Sequence, residues 1–296
     1  MPSPKILSSR IGLGCVTFGR EIDETASFAL MDHALARGTT FFDTAAAYSE
    51  GLSETIVGAW LSSRPSAART VTVATKIRPP FDPSTLYDSV RRSLERLRLG
   101  SVHVLFLHRW DLSAEAPGTV LALSELFGTG EVAALGVSNF TAPQLSSFIA
   151  TLERYGGPRI RFLQNNHNLA VHDVDDDILQ LSLRHGIEII TYSPLGAGYL
   201  TGKHRNGVVE GGTRFAIIPG HADVYFNERS FKRLARLESV AARSGYSQTH
   251  LALAWALHQP GIGTVLVGGR TPAHLDQAWA ALQLNDAALF TELGSD

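Results

Sequence analysis

The chain has 296 residues, 44% apolar and 18% charged, an ordinary globular composition with enough apolar material for a sizeable core. Its 26 Lys and Arg against 28 Asp and Glu leave a net charge of −2, so no basic excess exists to neutralise a nucleic-acid backbone. The lone cysteine, Cys15, excludes an internal disulfide framework and a Cys-rich metal site, and no apolar run approaches the ~18 residues of a membrane span.

In chain order, β-rich runs alternate with stretches of helical period. The segment Met1–Arg10 has no apolar core of a secretion signal, so a cytoplasmic chain with no membrane partner is expected. Arg10–Val16 reads as a first strand, then a helix capped by Asp23 or Thr25 runs to Arg37, with Gly38 at its end. The strands Thr39–Asp43 and Thr70–Lys76 follow. Asp82-Pro83 opens a helix whose Leu86, Val90, Leu94 and Leu97 share one face, and Gly100 is expected to stop it. Next come the strands Val102–His108 and Ala133–Ser138, a helix opened by Thr141-Ala-Pro143, and the strand Arg161–Asn166. A helix over Asp175–His185 closes at Gly186 before the strand Glu188–Tyr192. The residues Ser193–Ser230 carry many glycines and little periodicity, and a connection of that size in a compact domain is usually functional. The strand Thr264–Val267 and a helix from Thr271-Pro272 complete the series. Eight strand–helix repeats without a linker predict an α/β protein, a (β/α)8 TIM barrel, as one domain over residues 1–296 with a long loop after strand seven.

Several motifs fail on inspection. Gly12-Leu-Gly14 lacks the third glycine of a dinucleotide fingerprint, because residue 17 is Thr; Gly202-Lys203 is followed by His204 and completes no P-loop. The histidines form no close metal pair, so no metal is expected, and Cys15 reads as a small buried hydrophobe.

The chemistry-bearing residues stand at strand C-terminal ends, which in a barrel all face one mouth. Asp43, Lys76 and His108 end strands two, three and four, and Tyr48 lies five residues past Asp43. A tyrosine hydroxyl is a poor proton donor near neutrality. A nearby lysine ammonium favours tyrosinate and is expected to lower that pKa, an aspartate holds the lysine charged, and a histidine orients a substrate carbonyl. Such a tetrad suits proton delivery to an oxygen becoming an alkoxide.

These residues, with Gly12-Leu-Gly14, Thr17-Phe-Gly19, Phe42-Asp-Thr-Ala45, Ala74-Thr-Lys76, Gly136-Val-Ser-Asn-Phe140, Gln164-Asn165 and Tyr192-Ser-Pro-Leu-Gly-Ala-Gly198, resemble the aldo-keto reductase family over residues 10 to about 283. The resemblance implies NAD(P)H-dependent reduction of aldehydes or ketones, with Tyr48 as general acid among Asp43, Tyr48, Lys76 and His108, and a small-molecule carbonyl substrate. It implies a nicotinamide cofactor across the barrel mouth, its carboxamide at Ser138, Asn139 and Gln164 and its ring on Tyr192. Gly14, Thr17, Ser193, Leu195, Gly196 and Gly198 would line its path, and Gly268, Arg270 and His274 would meet its adenosine phosphate. His274 replaces the Arg or Gln of many members and Gln277-Ala278 replaces an acidic-plus-Asn pair, so Arg270 is the one permanent cation of that segment. NADPH is therefore expected over NADH by a modest ratio, with NADH possible. Phe18 and Trp110, with the long loop and the segment around Phe81, are expected to wall the substrate pocket. Two other readings share the barrel: a regulatory subunit resembling the β-subunits of potassium channels, and an NAD(P)-dependent sugar or alcohol dehydrogenase. Oligomeric state and substrate identity are left open by these residues.

Overall fold

A computed structural model describes residues 6, 8–204, 209 and 211–295. Eight parallel strands, β1 (Ile11–Gly14), β2 (Phe41–Asp43), β3 (Thr72–Ile77), β4 (Val104–Leu107), β5 (Leu135–Ser138), β6 (Ile160–Asn166), β7 (Glu188–Tyr192) and β8 (Ile262–Val267), pair in sequence order and close through β1 and β8. The fold is a (β/α)8 barrel. Its helices are α1 (Glu24–Ala36), α2 (Leu52–Ser63), α3 (Pro65–Ala68), α4 (Pro83–Leu97), α5 (Pro117–Gly128), α6 (Ala142–Tyr155) and α7 (Asp176–His185). They continue with α8 (Arg214–Ile217), α9 (His221–Tyr225), α10 (Glu228–Ser244), α11 (Gln248–Leu257), α12 (Pro272–Leu282) and α13 (Ala287–Gly294).

The expected caps form where oxygen-bearing side chains precede each helix. Asp23, Asp82 and Asp175 accept from backbone N–H groups in the first turns of α1, α4 and α7. Thr141 and Gln144 form a reciprocal capping box on α6. The end of α4 differs from expectation. Arg98 itself takes the left-handed turn at φ 56°, its N–H bonding the carbonyls of Glu95 and Leu94, so the helix stops two residues before Gly100.

Two apolar layers position the site. The outer layer packs helices on strands. The inner one stacks Phe41, Ala74, Val104, Phe106, Ala134, Phe162, Ile190 and Leu266 inside the barrel. Phe106 fills that interior so closely that a Cβ on Gly136 would lie 2.4 Å from its ring, which is why β5 carries glycine there.

Side chains alternate along a strand, so a residue two positions after an interior one also faces inward, one layer nearer the mouth. Phe41 is followed in this way by Asp43, Ala74 by Lys76, Phe106 by His108, Phe162 by Gln164 and Ile190 by Tyr192. The apolar plug is thus the floor, and the expected site residues form the layer above it.

The connection after β7 carries a 3-10 turn (Gly196–Thr201), α8 and α9 before α10 begins at Glu228. It is the long loop the sequence predicts, ending slightly before Ser230. Among the described residues no helix is long and apolar enough to cross a membrane.

Candidate active site

A cleft of about 900 Å³ opens over the C-terminal ends of the strands. Asp43, Tyr48 and His108 line it together, and Lys76 lies beneath them, fully buried. The Lys76 Nζ donates to Asp43 Oδ2 at 2.5 Å, to the Thr44 carbonyl at 3.0 Å and to Tyr48 Oη at 3.2 Å. Gln164 Nε2 donates to the other carboxylate oxygen of Asp43 at 2.9 Å. Tyr48 and His108 meet edge to face, ring centroids 5.9 Å apart.

Tyr48 owes its position to strained backbone. Ser49 and Glu50, immediately after it, sit in the left-handed region at φ 48° and 54° without being glycine. Conformations of this kind cost about 1–3 kcal/mol each and persist where surrounding bonds fix them. Here Ser49 Oγ donates to the Phe18 carbonyl at 2.9 Å, and Ser53 bridges Thr44 and the Cys15 carbonyl at 2.8 Å each.

Burial opposes the charge on Lys76, but Asp43 and Tyr48 outweigh it and hold the ammonium above the usual lysine range. The phenol of Tyr48 departs from expectation. Burial pushes its pKa up, and the adjacent ammonium opposes that rise without reversing it. Tyr48 therefore carries its proton at neutral pH, and Lys76 stands ready to stabilise the phenolate that forms when the proton leaves. Burial, reinforced by the charges of Lys76, Arg78 and Arg109, pulls the His108 imidazole down to about 3, so it is neutral near pH 7. Its Nδ1 meets no hydrogen-bond partner among the described residues.

That depression has a consequence for stability. Between about 3 and 6.5 the unfolded chain binds a proton at His108 that the folded chain does not, so stability should fall as pH drops through this window. His167, pulled down to about 4 by burial and by Arg233, acts in the same sense. Urea unfolding at neutral and mildly acid pH checks this: the wild type should lose more stability on acidification than His108→Gln. Equal losses would contradict a buried neutral imidazole.

Gly14, Thr17, Ser138, Asn139, Gln164, Tyr192, Ser193, Leu195, Gly198, Gly268, Arg270 and His274 all line the same cleft. Tyr192 Oη donates to Asn139 Oδ1 at 2.6 Å, and Asn139 Nδ2 donates to the His108 carbonyl at 2.9 Å, tying the aromatic ring of β7 to the end of β4. The loop after β7 places Ser193 and Ala197 in the left-handed region at φ 56° and 57°, beside Gly198 at φ 97°. Asn168 Nδ2 holds the Ser193 carbonyl at 2.9 Å. Thr17 Oγ1 donates to the Gly269 carbonyl at 2.9 Å, closing the two loops on each other. Arg270 N–H donates to His274 Nδ1 at 3.1 Å, and burial with the charges of Arg270 and Lys203 lowers the His274 pKa, leaving that ring neutral.

Four expected positions lie elsewhere. Phe18 is 0% exposed and packs into the outer core, so it offers no face to the cleft. Phe81 is equally buried. Trp110 is half-buried against the outer core, its indole N–H donating to Glu115 Oε1 at 3.1 Å, outside the cleft lining. Gly196 is also buried, facing Tyr225 and Tyr199. The cleft instead gains Arg20, Glu21, Arg78, Lys203, Arg214 and Gln277. Arg78 had a legible signal, two residues past Lys76 at the same strand end; Arg214 lies in the loop, where sequence gives no direction.

The model of the Aldo/keto reductase family matches residues 10–289. The chain belongs to the aldo/keto reductase family. Among curated relatives of this oxidoreductase family, it is 28% identical to "Protein tas" of Escherichia coli over 333 aligned residues, covering 100% of this chain and 94% of that one. It is 30% identical to "Aflatoxin B1 aldehyde reductase member 4" of Homo sapiens, with 92% and 88% covered. It is also 27% identical to a "Probable voltage-gated potassium channel subunit beta" of Arabidopsis thaliana, with 91% and 85% covered.

Proposed function

We propose that this chain reduces aldehydes or ketones to alcohols with NADPH, the same groups serving alcohol oxidation in reverse. The observation that carries the reading is the buried Lys76–Asp43 pair with the Lys76 ammonium 3.2 Å from the Tyr48 hydroxyl. When bound, NADPH supplies the hydride that converts the carbonyl carbon to a carbinol. Tyr48 breaks its O–H bond and gives the proton to the carbonyl oxygen, and Lys76 stabilises the phenolate left behind. His108, neutral, donates a hydrogen bond to the same oxygen and fixes its direction. Asp43 keeps Lys76 charged and in place, and Gln164 keeps Asp43 in place.

The residues present fit the cofactor. A cleft of 900 Å³ holds Ser138, Asn139 and the free carbonyl side of Gln164 for a carboxamide, the Tyr192 ring for a stacked face, and Lys203 and Arg270 for phosphate. The likeness to a potassium channel β-subunit supplies the second reading, a regulatory protein that binds cofactor without steady turnover. The ordered proton donor favours the enzyme.

Cofactor choice rests on Arg270. It is exposed in the cleft, one of its terminal nitrogens donating to the Gly212 carbonyl at 3.0 Å. One charged hydrogen bond to a 2′-phosphate is worth ~1.5–3 kcal/mol, so Arg270→Ala should raise KM for NADPH roughly tenfold to a hundredfold. KM for NADH should barely move. Steady-state kinetics with both cofactors decide it: equal weakening of the two, or a wild-type preference for NADH, contradicts the assignment. The function itself is tested by aldehyde-dependent NADPH oxidation with a nitrobenzaldehyde.

A further inference from the structure

Behind the cleft lies a buried polar cluster that the proposed chemistry does not use. Asn166 ends β6 and Asn168 follows two residues later; Tyr225 ends α9, in the long loop after β7. All three are buried, Asn168 completely. Asn168 Oδ1 accepts from the Ala170 and Val171 N–H groups at 2.9 and 3.1 Å, which fixes the direction of its amide nitrogen. That nitrogen donates to the Ser193 carbonyl at 2.9 Å and to Asn166 Oδ1 at 3.0 Å. Asn166 Nδ2 donates in turn to Tyr225 Oη at 3.1 Å, and the Tyr225 hydroxyl donates back to Asn166 Oδ1 at 3.3 Å.

The cluster joins the two roots of one loop. Ser193 opens the connection after β7, in the left-handed region at φ 56°, directly after Tyr192. Tyr225 stands near the far end, three residues before α10. Between them the loop sends Arg214 and Ile218 to the cleft lining. The Tyr225 ring has apolar seating of its own: it stacks on Tyr199 with centroids 6.0 Å apart and meets Phe215 edge-on at 5.9 Å. A phenylalanine would pack there equally well, so the bonds to Asn166 are what the hydroxyl adds. In a buried site a polar group that loses its partner pays its full desolvation cost, and Asn166 would be left in that state.

Building on the proposed cofactor reading, we propose that Tyr225 is a positioning residue for the nicotinamide cofactor. With Asn166 and Asn168, its hydroxyl staples the neck of the loop after β7. The staple fixes the Ser193 carbonyl beside Tyr192 and the stance of Arg214 and Ile218 over the cleft, and so sets how long the nucleotide stays bound. Tyr225 is absent from the cleft wall itself and acts through Ser193 and the loop.

The test is Tyr225→Phe, read in two ways. Amide hydrogen exchange without cofactor should be roughly tenfold faster in peptides covering residues 211–225, the scale of one buried polar group left unpaired. Peptides from the barrel strands should exchange as in the wild type. Stopped-flow fluorescence should show NADPH leaving roughly tenfold faster, with KM for NADPH raised and kcat not lowered. Asn166→Ala should act in the same direction, and the double variant should be no worse than Asn166→Ala alone, because both remove one shared contact. Wild-type exchange in the loop of Tyr225→Phe overturns the proposal, and so does faster exchange with an unchanged NADPH dissociation rate. Exchange that rises equally in the barrel strands, or additive effects in the double variant, also overturns it. A wild type that binds no NADPH would count against the proposed function, while loop exchange still reads the staple.

Discussion

Tyr48→Phe is expected to lower reductive kcat by about a hundredfold or more, the usual scale of a lost general acid. The ring stays, so its edge-to-face contact with His108 survives, and the NADPH dissociation constant should change little. The same tyrosine sets the pH dependence. Burial pushes its pKa above the ordinary value of 10.0, so the acid form persists through neutrality and the reductive rate should be flat there, falling only in the alkaline range. Steady-state rates on an aldehyde across pH, with fluorescence titration of NADPH, check both. Near wild-type turnover in Tyr48→Phe would remove the residue from the mechanism.

The largest effect on stability is expected at Asp43. Its side chain is 2% exposed and that of Lys76 is 1%, so Asp43→Asn leaves an ammonium buried without its counter-charge. Breaking a buried pair in this way costs about 3–5 kcal/mol, whereas removing both charges is often nearly neutral. Urea unfolding should therefore show Asp43→Asn much less stable than the wild type and the double variant Asp43→Asn, Lys76→Met recovering most of the loss. Activity should fall in both, since Asp43→Asn removes the group that holds Lys76 charged and in place and the double variant removes the ammonium beside Tyr48 altogether. A double variant as unstable as Asp43→Asn alone would show that the pair's charges are not what fixes the strand ends.

All eight strands were legible because apolar runs bounded by polar ends and helix caps repeat with a regular spacing. The residues above the floor were legible for the same reason: Asp43, Lys76, His108, Gln164 and Tyr192 each stand two positions past an interior side chain, and a barrel turns that alternation into one layer. Side-chain direction in loops was not legible. Phe18 follows the first strand as a pocket residue would, yet its ring enters the outer core; Trp110 turns to Glu115. The sign of the Tyr48 shift also escaped sequence reasoning, because it depends on how far burial outweighs a lysine 3.2 Å away. Several helices gave weak signals. In α11, all seven residues from Leu251 to Leu257 are buried, so no polar face marks its period, and α2 begins directly beyond the strained turn at Ser49 and Glu50.

The central claim is hydride delivery to a carbonyl carbon with the proton coming from Tyr48. It is tested most directly by incubating the protein with an aldehyde and NADPH carrying deuterium at both C4 positions, then weighing the alcohol by mass spectrometry. Carbonyl reduction predicts one deuterium on the carbinol carbon, with NADPH consumed mole for mole. NADPH that binds but is not consumed, or an alcohol formed without deuterium, would contradict it.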